Sequence, residues 1–364
     1  MNNMLEHSRL RAVADLGQQI WLDNLSRNLL ASGQLADLIA ADGVQGLTSN
    51  PAIFYHAIQN DAAYQAALPL LRTALATPEA RFEALAIPDV QRACDLFTPL
   101  YRDSDGRAGF VSFEVSPHLA HDAGGTIEEA KRLWAVIARP NAMIKIPATP
   151  AGIAALEEVV HAGINTNMTL IFSASQVQAV RAAHRRGLAR RLQDKLSVQR
   201  IASVASVFIS RIDVAVDALL ENSADATAVA LRGQAAMAAA RLAYADWKND
   251  SAFAVFAAFG ATPQWLLWAS TATKTPSERD VRYVEGLIGK DTINTVPDAT
   301  LAAFRDHGVA EMTLDADVDV EAARAVLAQL ARHGIDLETV GQQLLTSGLR
   351  QFEQAFDKLL AITA

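Results

Sequence analysis

The sequence predicts an α/β fold, a single (β/α)8 barrel of the TIM type. Eight short apolar runs, rich in Val, Ile and Phe, alternate with longer stretches of helical spacing. Strands that alternate with helices are typical of parallel β-α-β units, and a closed barrel of this kind needs eight strands. The predicted strands are residues 20–22, 44–47, 109–115, 142–147, 167–172, 203–209, 265–269 and 292–296.

Two segments depart from this alternation and predict additions to the barrel. Residues 60–107 are expected to form a helical insertion, with helices at 82–85 and 90–96. Residues 318–364 are expected to form C-terminal helices, because their apolar residues also have helical spacing. Since the chain has no fixed-period repeat, low-complexity tract or Gly/Ser linker, we expect residues 1–364 to fold as one domain.

Composition excludes several classes of protein. The 364 residues are 51% hydrophobic and 20% charged, which suits a large apolar core and not a disordered chain. The net charge of −8, from 32 Lys and Arg against 40 Asp and Glu, argues against a nucleic-acid partner. A single cysteine, Cys94, excludes an intrachain disulfide and indicates a cytoplasmic location. Residues 1–19 lack the apolar run of a signal peptide, and no apolar stretch is long enough for a bilayer, so we expect no membrane partner.

Polar side chains stand where several predicted strands end, which is where a (β/α)8 barrel carries its active site. Asp23 follows the first strand, and Asn50 follows the second, directly before the helix-starting Pro51. Glu114 lies within the third strand, and Lys145 lies within the apolar fourth strand. The later strands add a further set of polar residues: Asn167, Thr169, Ser206, Arg211 and Ser270.

Strand periodicity indicates that these polar residues share one face. Side chains two residues apart in a strand point the same way, so Lys145 points away from its neighbours Ile144 and Ile146. The same rule pairs Ser112 with Glu114, Asn167 with Thr169, and Ser206 with Phe208. If the apolar neighbours face the surrounding helices, one lysine and two carboxylates converge on the barrel axis.

A lysine and two carboxylates in an apolar pocket have a restricted chemistry. Burial disfavours the charged form of an amine, and a neutral amine can attack a carbonyl to form a Schiff base. Carboxylates move the protons that such a reaction requires. The convergence of the set favours catalysis, although each residue alone has a simpler interpretation. These are a snorkelling lysine for Lys145, a helix cap for Asp23, an ion-pair partner for Glu114, a turn residue for Asn50 and a surface pair with Asp213 for Arg211.

Four motifs of the sequence resemble those of the transaldolase family and occur in the family's order. They are GLTSNPAIF at 46–54, MIKIPAT at 143–149, GINTNMTLIFS at 163–173 and SVFISRID at 206–213. The resemblance covers most of the chain, and the length with its insertion is similar to the longer bacterial branch of the family. It implies a class I aldolase-like barrel that works without a cofactor or a metal.

The resemblance also implies a role for each polar residue. Lys145 would form the Schiff base with a ketose phosphate, and Asp23 would act as general acid and base at the bond that breaks. Glu114 and Thr169 would hold a proton-shuttling water, and Arg211 would bind phosphate. The implied ligands of the three-carbon fragment are Asn50, Asn167 and Ser206. The implied reaction transfers a dihydroxyacetone unit from sedoheptulose 7-phosphate to glyceraldehyde 3-phosphate, giving erythrose 4-phosphate and fructose 6-phosphate in the non-oxidative pentose phosphate pathway.

Two positions differ between this chain and related enzymes. The better-known branch places an Arg shortly after the serine of the seventh strand as a second phosphate ligand, whereas here Lys274 stands four residues after Ser270. Lys274 would take over that contact with Ser270 as a supporting donor, although a lysine is a poorer bidentate ligand. The alternative for Lys274 is a solvated loop lysine. Related small sugar-phosphate aldolases carry a Tyr where this chain has Phe208, which has no hydroxyl to place a water. Phe208 therefore favours transfer over simple cleavage. Sugar phosphates are the expected partners, and the chain is expected to be a monomer or a homodimer.

Two other functions stay open on the sequence alone: an aldolase that releases free dihydroxyacetone, and a non-catalytic sugar-phosphate sensor. Three further features are weaker candidates for sites. His118 and His121 have no evident third metal ligand. Residues 122–126 indicate a loop and a helix that begins at Thr126, and the basic residues 184–195 suit a solvated helix face.

Overall fold

The chain folds as a closed barrel of eight parallel strands, in which every strand pairs with its neighbours in sequence and the last pairs with the first. The computed structural model describes residues 8–221, 225–275, 277–314 and 320–364. The strands are β1 Gln18–Asp23, β2 Gly46–Thr48, β3 Phe110–Glu114, β4 Ala142–Pro147, β5 Thr166–Ile171, β6 Ser203–Phe208, β7 Trp265–Ala269 and β8 Thr292–Val296. The predicted (β/α)8 barrel is therefore confirmed, and the predicted strands differ from the observed ones by at most two residues at either end.

Helices surround the barrel and also cover one of its ends. They are α1 Arg9–Asp15, α2 Arg27–Ala31, α3 Gln34–Asp37, α4 Pro51–Asn60, α5 Ala62–Ala74, α6 Pro78–Asp103, α7 Ala123–Ile137, α8 Pro150–His161, α9 Ala174–Gln193, α10 Ser210–Leu220, α11 Ala226–Val229, α12 Ala235–Lys248, α13 Ala254–Ala257, α14 Arg282–Glu285, α15 Asp298–His307, α16 Val320–Arg332 and α17 Leu337–Thr363. A π-helical turn, Leu38–Asp42, continues α3, and 3-10 turns occur at Pro117–Leu119 and Ser251–Phe253. Among the described helices, none is both long and apolar enough to cross a bilayer.

The insertion between β2 and β3 is helical, but its internal boundaries differ from the prediction. The separate helices expected at 82–85 and 90–96 form one continuous helix, α6, despite the prolines Pro88 and Pro99. A proline inside a helix removes one backbone hydrogen bond. Apolar side chains are buried along the whole of α6, and this burial offsets that loss at each proline.

The helix expected to begin at Thr126 begins three residues earlier, so that prediction was wrong. α7 starts at Ala123, and the side chain of Asp122 caps it by accepting a hydrogen bond from the Gly125 N–H at 3.0 Å. Thr126 instead buries its hydroxyl inside the first turn and donates to the Leu119 carbonyl at 3.0 Å. Asp122 is thus the N-terminal cap of α7.

The C-terminal helix α17 lies across the carboxyl ends of the strands. It packs against α4, α6, α10 and β5. Gly334 lies between α16 and α17 with a positive φ of 77°. This left-handed conformation is the one in which glycine often ends a helix. The C-terminal segment therefore contributes to the end of the barrel where polar side chains collect.

Candidate active site

A cavity of 230 Å³ opens at the carboxyl ends of the strands. It is lined by Asp23, Thr48, Asn50, Lys145, Thr169, Ser206, Phe208, Arg211, Ala269, Ser270, Ala272, Lys274, Thr295, Pro297 and Phe352. Every site residue that the sequence singled out lines this cavity except Glu114 and Asn167. Those two are buried beside it, Glu114 against Lys145 and Asn167 against Ser206.

Lys145 is a buried lysine whose amine is held between two neighbouring strands. Its residue is only 5% exposed, and Nζ donates a hydrogen bond to the Ser49 carbonyl at 3.0 Å. In the register between β3 and β4, Glu114 lies directly beside it, and Nζ is 3.5 Å from Glu114 Oε2. The snorkelling interpretation of Lys145 is therefore wrong, because its amine points into the barrel and not to bulk water.

The start of α8 fixes the end of the strand that carries this lysine. A Cβ at Gly152 would lie 2.0 Å from the Pro147 carbonyl oxygen, so only glycine allows α8 to begin this close to β4. The Thr149 hydroxyl oxygen accepts a hydrogen bond from the Gly152 N–H at 2.9 Å, and the same hydroxyl donates a hydrogen bond to the Ala120 carbonyl. The turn after β4 is thereby tied to the loop after β3.

Glu114 is a buried carboxyl group with an altered acidity. Burial raises its pKa to about 7, and the charge of Lys145 opposes that rise. Apart from the ion pair of Oε2 with Lys145, its carboxylate oxygens have no hydrogen-bond partner among the described residues, and the buried Thr169 hydroxyl has none there either. Since buried polar groups are nearly always hydrogen-bonded, these atoms mark a place for a water or a substrate hydroxyl.

Asp23 is the second carboxylate of the cavity and lies at the end of β1. Its Oδ1 accepts a hydrogen bond from the Thr48 hydroxyl at 2.6 Å. The Thr48 oxygen is also 2.7 Å from that of Thr295 on β8. Burial raises the pKa of Asp23, whereas the charge of Lys145 and the bond from Thr48 lower it. The helix-cap interpretation of Asp23 is wrong, since the cap of α2 is Ser26.

Amide and hydroxyl groups line the side of the cavity around β5 and β6. Asn167 donates through Nδ2 to Ser112 Oγ at 3.0 Å and accepts from the Ser206 hydroxyl at 2.6 Å. Asn50 caps α4 by accepting from the Ile53 N–H at 3.0 Å, and it also lines the cavity. Its turn-forming and cavity-lining roles therefore coexist. The Phe208 ring packs on that of Phe172, with 5.2 Å between ring centroids.

Two cations lie at the outer side of the same cavity. Neither Arg211 nor Lys274 has an ion-pair or hydrogen-bond partner among the described residues. Burial lowers the pKa of Arg211, and its guanidinium carbon lies 5.4 Å from the centroid of the Phe208 ring. The surface pair of Arg211 with Asp213 does not form, because buried Asp213 accepts from the Ala236 N–H and the Tyr283 hydroxyl instead.

Ser270 lines the cavity next to these cations in a strained backbone conformation. Its φ of 55° falls in the left-handed region that few non-glycine residues adopt. The backbone N–H of Ser210 donates to the Ser270 carbonyl at 3.0 Å, and the two side-chain oxygens are also 3.0 Å apart. Strain of this kind persists where the surrounding structure fixes it, as at ligand-binding turns.

Several features of the site escaped the sequence analysis. Phe352 comes from α17, more than two hundred residues after Lys145, and the helical pattern around it gives no sign of the cavity. Thr295 lies in the apolar run of β8 and faces inward. The search for polar side chains at strand ends, extended to the last strand, finds Thr295. It does not find Phe352, which lies on a helix.

Residues of the weaker candidates make ordinary structural contacts. His118 pairs with Asp357 at 2.9 Å, and the described residues contain no group of His, Cys, Asp or Glu side chains arranged to hold a metal. The expectation of a solvated basic face at residues 184–195 was wrong for His184, which is buried against the Phe253 ring and has its pKa lowered to about 3, chiefly by that burial. Other arginines of α9 pair with carboxylates, Arg186 with Glu157 among them.

The fold and the cavity together define a (β/α)8-barrel protein with a buried lysine that lies beside Glu114 and shares its cavity with Asp23. The profile of the transaldolase/fructose-6-phosphate aldolase family matches residues 20–363. The chain belongs to this family. It is an enzyme of the transaldolase class, a transferase.

Named bacterial relatives match almost the full length of the chain. It is 49% identical to a transaldolase of Thiobacillus denitrificans, over 96% of this chain and 98% of the relative. A transaldolase of Neisseria gonorrhoeae is 51% identical, over 97% and 98% of the two chains. A transaldolase of Mycolicibacterium smegmatis is 41% identical, over 99% and 98%.

Proposed function

We propose that the enzyme transfers a dihydroxyacetone unit between sugar phosphates through a Schiff base on Lys145. The proposed donor is sedoheptulose 7-phosphate, the acceptor is glyceraldehyde 3-phosphate, and the products are erythrose 4-phosphate and fructose 6-phosphate. The observation that carries the proposal is one buried amine beside Glu114, in the same cavity as Asp23 and Arg211.

The first proposed step joins Lys145 to the keto carbon of the donor. The neutral amine attacks this carbon, and the carbonyl oxygen takes up a proton to give a carbinolamine. Loss of that hydroxyl as water leaves the iminium, with its positive charge on nitrogen. Glu114, whose pKa of about 7 suits both uptake and release of a proton, exchanges these protons through a water held with Thr169.

The second proposed step breaks the carbon–carbon bond. Asp23 takes the proton of the hydroxyl two carbons from the iminium, an aldehyde leaves, and the bonding electron pair moves toward the iminium to form an enamine. With the acceptor aldehyde in place, the enamine carbon attacks its carbonyl carbon and Asp23 returns the proton to the new hydroxyl oxygen. Asn50, Asn167 and Ser206 are the proposed partners of the hydroxyls of the three-carbon unit.

The setting of this reaction is also proposed. We place it in the non-oxidative pentose phosphate pathway of the cytoplasm, with the chain acting as one domain in a monomer or homodimer. The single cysteine, which is buried, suits a reducing compartment. An assay with fructose 6-phosphate, run with and without erythrose 4-phosphate, tests the proposal directly. Product formation only with the acceptor supports transfer, and equally fast release of dihydroxyacetone without it supports an aldolase.

Arg211→Ala is expected to weaken the binding of phosphorylated sugars. A lost charge-assisted hydrogen bond costs about 1.5–3 kcal/mol, which predicts a roughly ten- to hundredfold rise in KM for fructose 6-phosphate. The preference for fructose 6-phosphate over unphosphorylated fructose should fall by a similar factor. Arg186→Ala, at an exposed arginine of α9 paired with Glu157, is the control and should leave KM unchanged. Full discrimination in Arg211→Ala would remove Arg211 from the phosphate site.

The pH dependence of the rate is expected to report the titration of Glu114. Below its pKa of about 7 the carboxyl group is protonated and cannot accept a proton from Lys145, so kcat/KM should fall as the pH drops through that value. In Glu114→Gln this acidic limb should disappear and the rate should be low throughout. Glu128→Gln, at an exposed carboxylate of α7, should keep the limb. A limb that persists unchanged in Glu114→Gln assigns the titration to another group.

A further inference from the structure

An aromatic ring from the C-terminal helix lines the candidate active site. Phe352 of α17 lines the same cavity as Lys145, and the centroid of its ring lies 5.7 Å from Nζ. The residue is only 8% exposed, so its ring is surrounded by protein and not by solvent. Nζ also contacts the Ser49 carbonyl and Glu114. The surroundings of the amine therefore include both polar groups and an apolar ring.

Glycines on one face of α17 allow the helix to lie this close to the strand ends. A Cβ at Gly348, one turn before Phe352, would lie 3.1 Å from Leu170 Cδ2 and 3.6 Å from a terminal nitrogen of Arg211. A Cβ at Gly341 would lie 2.9 Å from that of Ser173. Phe352 is therefore placed over Lys145 by a face of the helix that packs directly on the end of β5.

We propose that Phe352 shields the enamine on Lys145 from protonation on carbon and so directs the bound three-carbon unit to an aldehyde acceptor instead of to release. This inference rests on the proposed Schiff-base mechanism and adds the residue that decides between its two outcomes. Phe208 also lines the cavity and has no hydroxyl. The ring that lies over the lysine nitrogen is that of Phe352.

The step that Phe352 suppresses is the release of the three-carbon unit. The enamine takes a proton on carbon and becomes an iminium, and the oxygen of a water molecule then adds to the iminium carbon while the π-electron pair moves to nitrogen. After a proton passes from oxygen to nitrogen, the carbon–nitrogen bond breaks, which frees dihydroxyacetone and the amine of Lys145. Water must also hydrolyse the Schiff base of the product on every turnover, so the ring acts on the first of these steps. An apolar ring close to the nitrogen leaves no room beside the enamine for a water that would donate this proton.

The test measures the partition of the bound unit in Phe352→Ala and in a matched control. Phe356, one turn further along α17, has a similar burial of 6% but packs on Phe82 and His118, outside the cavity lining. Phe356→Ala thus removes the same atoms from the same helix without opening the site. For each variant, the release of free dihydroxyacetone from fructose 6-phosphate is divided by its transfer to erythrose 4-phosphate.

We expect Phe352→Ala to raise this release-to-transfer ratio by about tenfold, since a water can then protonate the enamine. Phe356→Ala should keep the wild-type ratio, and Phe352→Leu, which restores apolar bulk, should return most of the way to it. A ratio that stays at the wild-type value in Phe352→Ala, or that rises equally in Phe356→Ala, overturns the proposal. The ratio is independent of how much folded enzyme is present, so partial unfolding of a variant does not affect the outcome.

Failure of this inference differs from failure of the proposed function. Borohydride reduction in the presence of fructose 6-phosphate should attach the three-carbon unit to Lys145 in wild type, Phe352→Ala and Phe356→Ala alike. A wild-type enzyme that neither transfers nor forms this adduct contradicts the Schiff-base mechanism. A wild-type enzyme that does both, next to a Phe352→Ala variant with an unchanged ratio, contradicts only the role of Phe352.

Discussion

Lys145→Ala is expected to lose transaldolase turnover by roughly a thousandfold or more, because it removes the nucleophile and with it the whole covalent route. Nζ of Lys145 lies 3.5 Å from Glu114 and inside the cavity that holds Asp23. No other lysine of the described residues except Lys274 lines this cavity, and Lys274 lies at its outer side with Arg211. Initial rates from fructose 6-phosphate and erythrose 4-phosphate measure the effect.

The control for this variant is Lys131→Ala, at a lysine of α7 whose side chain is 47% exposed and pairs with Glu128. It should turn over at the wild-type rate. Circular dichroism and the midpoint of thermal unfolding establish that Lys145→Ala is folded when its rate is measured. A folded Lys145→Ala variant that retains more than a tenth of the wild-type rate would contradict the assignment of the nucleophile.

The second large effect is expected from Asp23→Asn, which keeps the size of the side chain and an oxygen for the bond from Thr48. The amide cannot accept the hydroxyl proton when the carbon–carbon bond breaks, so kcat should fall by roughly a hundred- to ten-thousandfold. Schiff-base formation depends on Lys145 and Glu114, and the uncleaved donor should therefore accumulate on the enzyme. Borohydride should then trap a six-carbon unit from fructose 6-phosphate in place of the three-carbon one.

A nearby carboxylate provides the matched control for Asp23. Asp298, at the start of α15, accepts a hydrogen bond from the Asn24 side chain at 2.8 Å and contributes to the electrostatics of Asp23, but it does not line the cavity. The loss of kcat in Asp298→Asn should be at least tenfold smaller than the loss in Asp23→Asn. Equal losses in the two variants would assign the effect to local charge and not to proton transfer by Asp23.

The barrel could be predicted because its strands are short apolar runs separated by helices of ordinary spacing. β4, β7 and β8 have the predicted bounds, since polar or turn residues mark both of their ends. Helix boundaries were predicted less well. The helices predicted at 82–85 and 90–96 are parts of α6, which continues through Pro88 and Pro99 because its apolar face is buried along its length. The start of α7 was misplaced because Asp122, and not Thr126, caps it.

The site could be predicted where its residues belong to strand ends, because local sequence then fixes both their position and their direction. The periodicity of β3 and β4 puts Glu114 and Lys145 on the same face, and the observed register makes them adjacent. Phe352 could not be predicted, because its place depends on how α17 packs over the finished barrel. The burial of His184 depends in the same way on contacts that the helical pattern of α9 does not encode.

The most direct test of the central claim is identification of the lysine that borohydride traps. The enzyme is incubated with fructose 6-phosphate, reduced, digested and analysed by peptide mass. We predict a three-carbon unit, joined through a reduced carbon–nitrogen bond, on the peptide that contains Lys145. No adduct from an enzyme that is active in the transfer assay, or an adduct on a different lysine, would contradict the account.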